Sequence, residues 1–114
     1  MTFRRIPTLQ RKFQQLRETG VTMMVGTDSG IPANFHTDST WRELDTWVKF
    51  GMTPMQAIGA ATRWPARFLK QEKNLGTLAA GRMADVIAVR GDVLSNVTLL
   101  QNVPIVVKGG VRVK

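Results

Sequence analysis

The run "VTMMV", residues 21–25, constrains this chain more than any other stretch. It is almost continuously apolar and is β-branched at both ends. A strand buried on both faces, as in a parallel sheet, reads in this way. The residues before it predict a helix over 8–19: Ile6, Leu9, Phe13 and Leu16 recur at steps of three and four, and Gly20 sits just past the end. A helix feeding a doubly buried strand predicts α/β architecture.

The loop "GTDSGIPANFHTDS" follows, with too many glycine, proline and small polar residues for a helix. A second helix is expected from "TWRELDTWVKFG". Thr40 and Glu43 match a capping box, Trp41, Leu44, Trp47 and Val48 form an apolar face, and Gly51 ends it. In "MTPMQAIGAAT", Thr53 is the expected N-cap, Pro54 the first helical residue and Gln56 the capping-box partner. Ala57, Ile58 and Ala61 make a narrow stripe that suits close helix packing. Pro65 breaks the pattern, and "PARFLK" can start a short fourth helix.

The character changes near Asn74. Gly76, Gly81 and Gly91 punctuate the chain around a strand "DVIAV", and "VPIVVKGGVRVK" reads as a hairpin turning at Gly109-Gly110. Two parts are therefore expected: residues 1–72, helical around one strand, and residues 73–114, rich in β structure.

The chain of 114 residues has room for one small core, and 43% of it is hydrophobic. It has no cysteine, which excludes disulfides, a zinc ribbon and thiol catalysis and suits a cytoplasmic setting. No apolar run is long enough to span a membrane. The N-terminus is basic but lacks the apolar core of a signal peptide. Sixteen Lys and Arg against eight Asp and Glu give +8, which raises nucleic acid or another anion as a partner. Arg4, Arg5, Arg11, Lys12 and Arg17 cluster at the start; the other basic residues are scattered, as on a solvated surface, and no zinc-finger, RRM or homeodomain pattern is present. A basic binding module is the alternative that this charge keeps open.

Five pieces in order carry a resemblance: "GTDSG" (26–30), His36 with "ELDTWVKFGMTPMQAIGAAT" (43–62), "PARFL" (65–69), "LGTLAAGRMADVIAV" (75–89) and "VVKGGVRV" (106–113). Together they resemble the C-terminal portion of the metal-dependent amidohydrolases, in the imidazolonepropionase-like and prolidase-like branch. The resemblance implies the last strand of a distorted TIM barrel, the helices after it, and part of a small β-sandwich built from both chain ends. Residues 1–72 would be barrel and 73–114 sandwich.

The resemblance also implies a role for Asp28. It would stand at the C-terminal end of the last barrel strand, where barrel enzymes place their chemistry. There a carboxylate serves as general base toward a metal-activated water and passes the proton to the leaving nitrogen of an amide, peptide or cyclic amide. His36, Thr27, Ser29 and Gly30 are expected around it, contacting substrate or shaping the loop; ordinary turn chemistry would explain the last three equally well. The implied cofactor is a divalent metal, zinc above all. The family draws its ligands from an early His-x-His pair, a middle lysine or glutamate and two later histidines, and none of these segments occurs here. Asp28 could be a ligand only with others supplied from elsewhere, and the chain alone is expected to be an incomplete hydrolase that binds no metal stably. Its expected partners are a second copy, paired through the lone strand, or the missing N-terminal part of the barrel. Asp85 is expected to be structural, bonding backbone at a strand start. Trp41, Trp47 and Trp64 are expected in the core or on a face that meets the rest of the barrel.

Overall fold

The computed structural model describes residues 5–114; residues 1–4, with Arg4 of the basic cluster, lie outside the described residues. Four helices come first. Helix α1 spans Ile6–Glu18 and α2 spans Ser39–Lys49. Helix α3 spans Pro54–Ala61 and α4 spans Arg63–Phe68. The β part follows: β1 Val86–Ala88, a 3-10 helix Val97–Gln101, β2 Ile105–Lys108 and β3 Val111–Arg112. The 3-10 helix has no counterpart among the sequence expectations.

Local chemistry explains most helix ends. Thr53 accepts from the Gln56 N–H at 3.2 Å, and the Gln56 side chain accepts from the Thr53 N–H at 2.9 Å. Both halves of the expected capping box are thus made. Gly20 and Gly51 follow α1 and α2 with φ of +74° and +105°, values that favour glycine just past a helix. The second expected capping box does not form. Helix α2 starts two residues earlier than that box implies, with Asp38 rather than Thr40 at the N-cap, and has no side-chain cap. Glu43 is engaged elsewhere: its Oε1 accepts from the Gly26 N–H at 3.2 Å.

The strands form an antiparallel sheet ordered β1-β2-β3. Val86, Ile87 and Ala88 face Val107, Val106 and Ile105, while Val107 and Lys108 face Arg112 and Val111. The turn Gly109-Gly110 has positive φ at both residues, as a tight two-residue hairpin turn demands. Asp85 fastens this turn from outside. Its carboxylate accepts from the Gly109 N–H at 2.8 Å and from Lys108 Nζ at 2.9 Å, which bears out its structural reading.

The run 21–25 departs from expectation: it is assigned to no strand. A ladder needs a neighbouring strand, and none of the described strands lies beside it. The Val25 N–H donates to the Ala60 carbonyl of α3 at 3.0 Å. Val21 is exposed and Met23, Met24 and Val25 are half-buried, so the expected double burial is absent.

The core is correspondingly thin. Among the described residues, Leu44, Ala57, Ala60, Ala66 and Val97 are the buried apolar ones, and no large side chain is fully enclosed. Small residues on α3 let it pack closely against α2 and α4, and α2 also covers the 3-10 helix. Ala57 of the predicted stripe is buried, while Ile58 and Ala61 are half-buried. Phe13 of α1 stacks on Trp47 and Phe50, with ring centres 5.4 and 5.7 Å apart, yet Ile6, Leu9 and Leu16 of the same helix stay exposed. The radius of gyration is 15.2 Å, above the ~13 Å of a closely packed domain of this length.

Candidate catalytic loop

The loop after residue 25 is ordered by its own polar groups. Pro32 and Ala33 turn the chain so that the Asn34 N–H donates to the Ile31 carbonyl at 3.0 Å and the Gly30 N–H to the Asn34 carbonyl at 2.9 Å. Ala33 has φ +64°, the sign that this proline-led turn requires at its second central position. Thr27 Oγ1 and Ser29 Oγ share a hydrogen bond of 2.5 Å across Asp28. Glu43 of α2 holds the loop entrance through Gly26, as noted above.

Asp28 itself has φ +52°. The left-handed region is uncommon for a residue with a Cβ, although aspartate tolerates it better than most. Asn34 meets this turn directly. Its Nδ2 donates to the Thr27 carbonyl at 2.6 Å and to the Asp28 carbonyl at 3.0 Å. Its Oδ1 accepts from the hydroxyl of Ser39, a buried residue that opens α2 and also reaches the Phe35 carbonyl. Asp28 is exposed, and its carboxylate takes part in no hydrogen bond or salt bridge among the described residues.

The five expected site residues fall on this one loop, and the His36 ring stands where a side chain on residue 30 would point. A Cβ added to Gly30 would sit 3.1 Å from His36 Nε2, and Gly30 has φ +102°, so glycine suits the position twice over. The His36 ring borders an apolar cavity of about 500 Å³, walled by Trp41, Leu44, Ile58, Ile87 and Leu100. A larger hollow of about 810 Å³ lies beside Arg17, Val21, Met23 and Trp64, and includes neither Asp28 nor His36. Asn34, Ser39 and Glu43 organise the loop without having been expected to. For Asn34 the available signal was its type and setting: asparagine favours loops where its amide can satisfy nearby backbone.

Among the described residues, no group of three or more His, Cys, Asp or Glu side chains comes together as a metal site. A catalytic zinc takes three protein ligands and keeps one position open. The described residues do not bring such a ligand set together. No helix among the described residues is long and apolar enough to cross a membrane.

Helices followed by a small antiparallel sheet, with an ordered Asp-bearing loop between α1 and α2, make up this mixed helix-and-strand chain. The amidohydrolase family model matches residues 6–113, and the chain belongs to this family. The expected fold class is borne out by solved structures. A Xaa-Pro dipeptidase crystallised with methionine in its active site is 35% identical, with a TM-score of 0.84 over 95% of this chain and 26% of its own. A candidate prolidase from Bifidobacterium longum is 30% identical, with a TM-score of 0.83 over 89% of this chain and 25% of its own. Molinate hydrolase, at 24% identity and a TM-score of 0.79 over 91% of this chain and 26% of its own, shares the fold. The chain thus spans about a quarter of the length of the structures it matches. No curated protein matches it.

Proposed function

We propose that this chain is the portion of an amidohydrolase that carries the proton-transfer carboxylate, Asp28, for cleavage of an amide C–N bond. The observation that carries this reading is the loop: within a family match spanning residues 6–113, it fixes the backbone of an Asp whose carboxylate bonds to none of the described residues. An ionised carboxylate with no internal partner can accept a proton from an attacking water and return it to the leaving nitrogen. Gly30 and His36, whose ring stands where a side chain on residue 30 would point, would shape the substrate side of the loop.

The substrate class follows from the neighbour at 35% identity, a Xaa-Pro dipeptidase, so a dipeptide ending in proline is the first candidate. Residues 1–72 would belong to the barrel and 73–114 to the small β domain, consistent with Phe68 ending the last helix before the sheet begins at Val86. Catalysis would need residues beyond those of this chain, including every ligand that a divalent metal requires beside Asp28. The support is the lack of a three-residue metal group among the described residues. The partner would be either the rest of such a barrel or a second copy, pairing with the unladdered run 21–25. Light scattering at high concentration should then show an assembly larger than one chain; a strict monomer would leave the missing barrel as the partner.

Complementation tests the function. The chain is mixed with the Xaa-Pro dipeptidase from which the matched quarter has been deleted, with zinc or manganese added. Hydrolysis of a Xaa-Pro dipeptide by the mixture, and by neither part alone, is the expected result.

A further inference from the structure

We infer that Asn34 is a positioning residue for Asp28, acting through the backbone, with the Ser39 hydroxyl holding the far end of its amide in place. The inference rests on the proposed role of Asp28. Successive carbonyls of an extended chain point in opposite directions. The carbonyls of Thr27 and Asp28 nevertheless both accept from one Nδ2 group, at 2.6 and 3.0 Å. They can converge only if the residue between them leaves the extended region, and Asp28 does so at φ +52°. The amide and the unusual φ are therefore one device, and φ fixes the direction in which the Asp28 side chain leaves the loop.

The device needs asparagine. An NH₂ group has two protons, one for each carbonyl. An aspartate in its place would set acceptors against acceptors. The same conflict would follow if the amide rotated by half a turn, because Oδ1 would then face both carbonyls, which can only accept. The Ser39 hydroxyl lies against the other end of the amide and the Phe35 carbonyl, and Ser39 is itself buried and held at the first turn of α2, so it limits the movement of the Asn34 side chain. The main chain of Asn34 closes the Gly30–Asn34 turn as well, so one residue ties both halves of the loop.

The chain alone allows the test by NMR. In the unaltered chain, scalar couplings across the hydrogen bonds should link Asn34 Nδ2 to the carbonyl carbons of Thr27 and Asp28. Asp28 should also show the strong intraresidue H–N to Hα contact of a positive φ. Absence of both in the folded chain overturns the inference without any variant. Asn34→Ala and Asn34→Asp should abolish the Asp28 signature while the Gly109-Gly110 hairpin signals stay put, and Ser39→Ala should weaken it. A persistent signature in a folded Asn34→Ala chain also overturns the inference.

A second readout separates this idea from the function it rests on. In the complemented dipeptidase, Asn34→Ala should lower kcat by on the order of tenfold to a hundredfold with little change in KM. It should add nothing once Asp28 is already Asn. Full activity with Asp28→Asn refutes the proposed role of Asp28 and leaves the NMR result standing. Equal losses from Asn34→Ala in the presence and absence of the Asp28 carboxylate refute positioning through Asp28.

Discussion

Glu43, on the second turn of α2, accepts a hydrogen bond from the Gly26 N–H at 3.2 Å and so ties the start of the Asp28 loop to a helix seventeen residues away. The same bond explains why α2 has no capping box: the carboxylate that could have turned back to its own helix end serves the loop instead. Glu43→Ala removes a charged acceptor from an exposed amide, and should lower stability by about 0.5–1.5 kcal/mol. Amide exchange at Gly26 should rise far more than exchange in α3. An unchanged Gly26 exchange rate would show that the bond does not persist in solution.

Gly76 and Gly81 share a backbone conformation but not surroundings. Both have positive φ, +86° and +81°, yet a Cβ on Gly76 would lie 2.8 Å from both the Ala66 Cβ and the Thr62 carbonyl, while Gly81 has nothing within 4 Å. Gly81→Ala should cost only the conformational strain, roughly 1 kcal/mol. Gly76→Ala adds a clash against α4 and should cost about 1–3 kcal/mol more. Urea unfolding of the two variants measures the difference, and equal midpoints would place the packing of α4 elsewhere.

The hairpin clamp predicts an acid-labile sheet. The Asp85 carboxyl is held below the usual carboxylate range, first by its hydrogen bond to Lys108 and next by the Gly109 N–H. Asp92 is lowered likewise, first by Ser95 and then by the Leu94 N–H. A value depressed in the folded state means that these groups stabilise the fold fully above the unfolded value of about 4, and the contribution is lost as pH falls through the lower folded value. The urea midpoint should therefore drop as pH falls below about 4. Asp85→Asn should flatten part of that drop. A variant with the unaltered slope would show that the clamp is not formed.

What the sequence made legible was what neighbours in the chain decide. The Thr53–Gln56 capping box and the Gly109-Gly110 turn each involve partners a few residues apart, so residue type and spacing sufficed. The run 21–25 forms no ladder among the described residues: its apolar character reports the surroundings it suits, whereas a strand is defined only beside another strand. Glu43 was misassigned because a distant amide outcompeted the local one. The exposure of Ile6, Leu9 and Leu16 on α1 has the same origin: periodicity marks a face that wants covering but not what covers it. For the site, the loop and its Asp28 were legible through resemblance. The clamp by Asn34 and Ser39 was not, since it depends on two carbonyls converging at an unusual φ.

The most direct test of the account is the rate of Xaa-Pro dipeptide hydrolysis by the complemented dipeptidase with Asp28 intact and with Asp28→Asn. Asparagine keeps the size of the side chain and tolerates positive φ, so the loop should survive the change. General acid–base catalysis is worth about 10²–10⁴ in rate. A fall of that order, with both mixtures assembling equally well, is the predicted result. Equal rates from the two mixtures would contradict it and return Asp28 to the role of an ordinary turn residue.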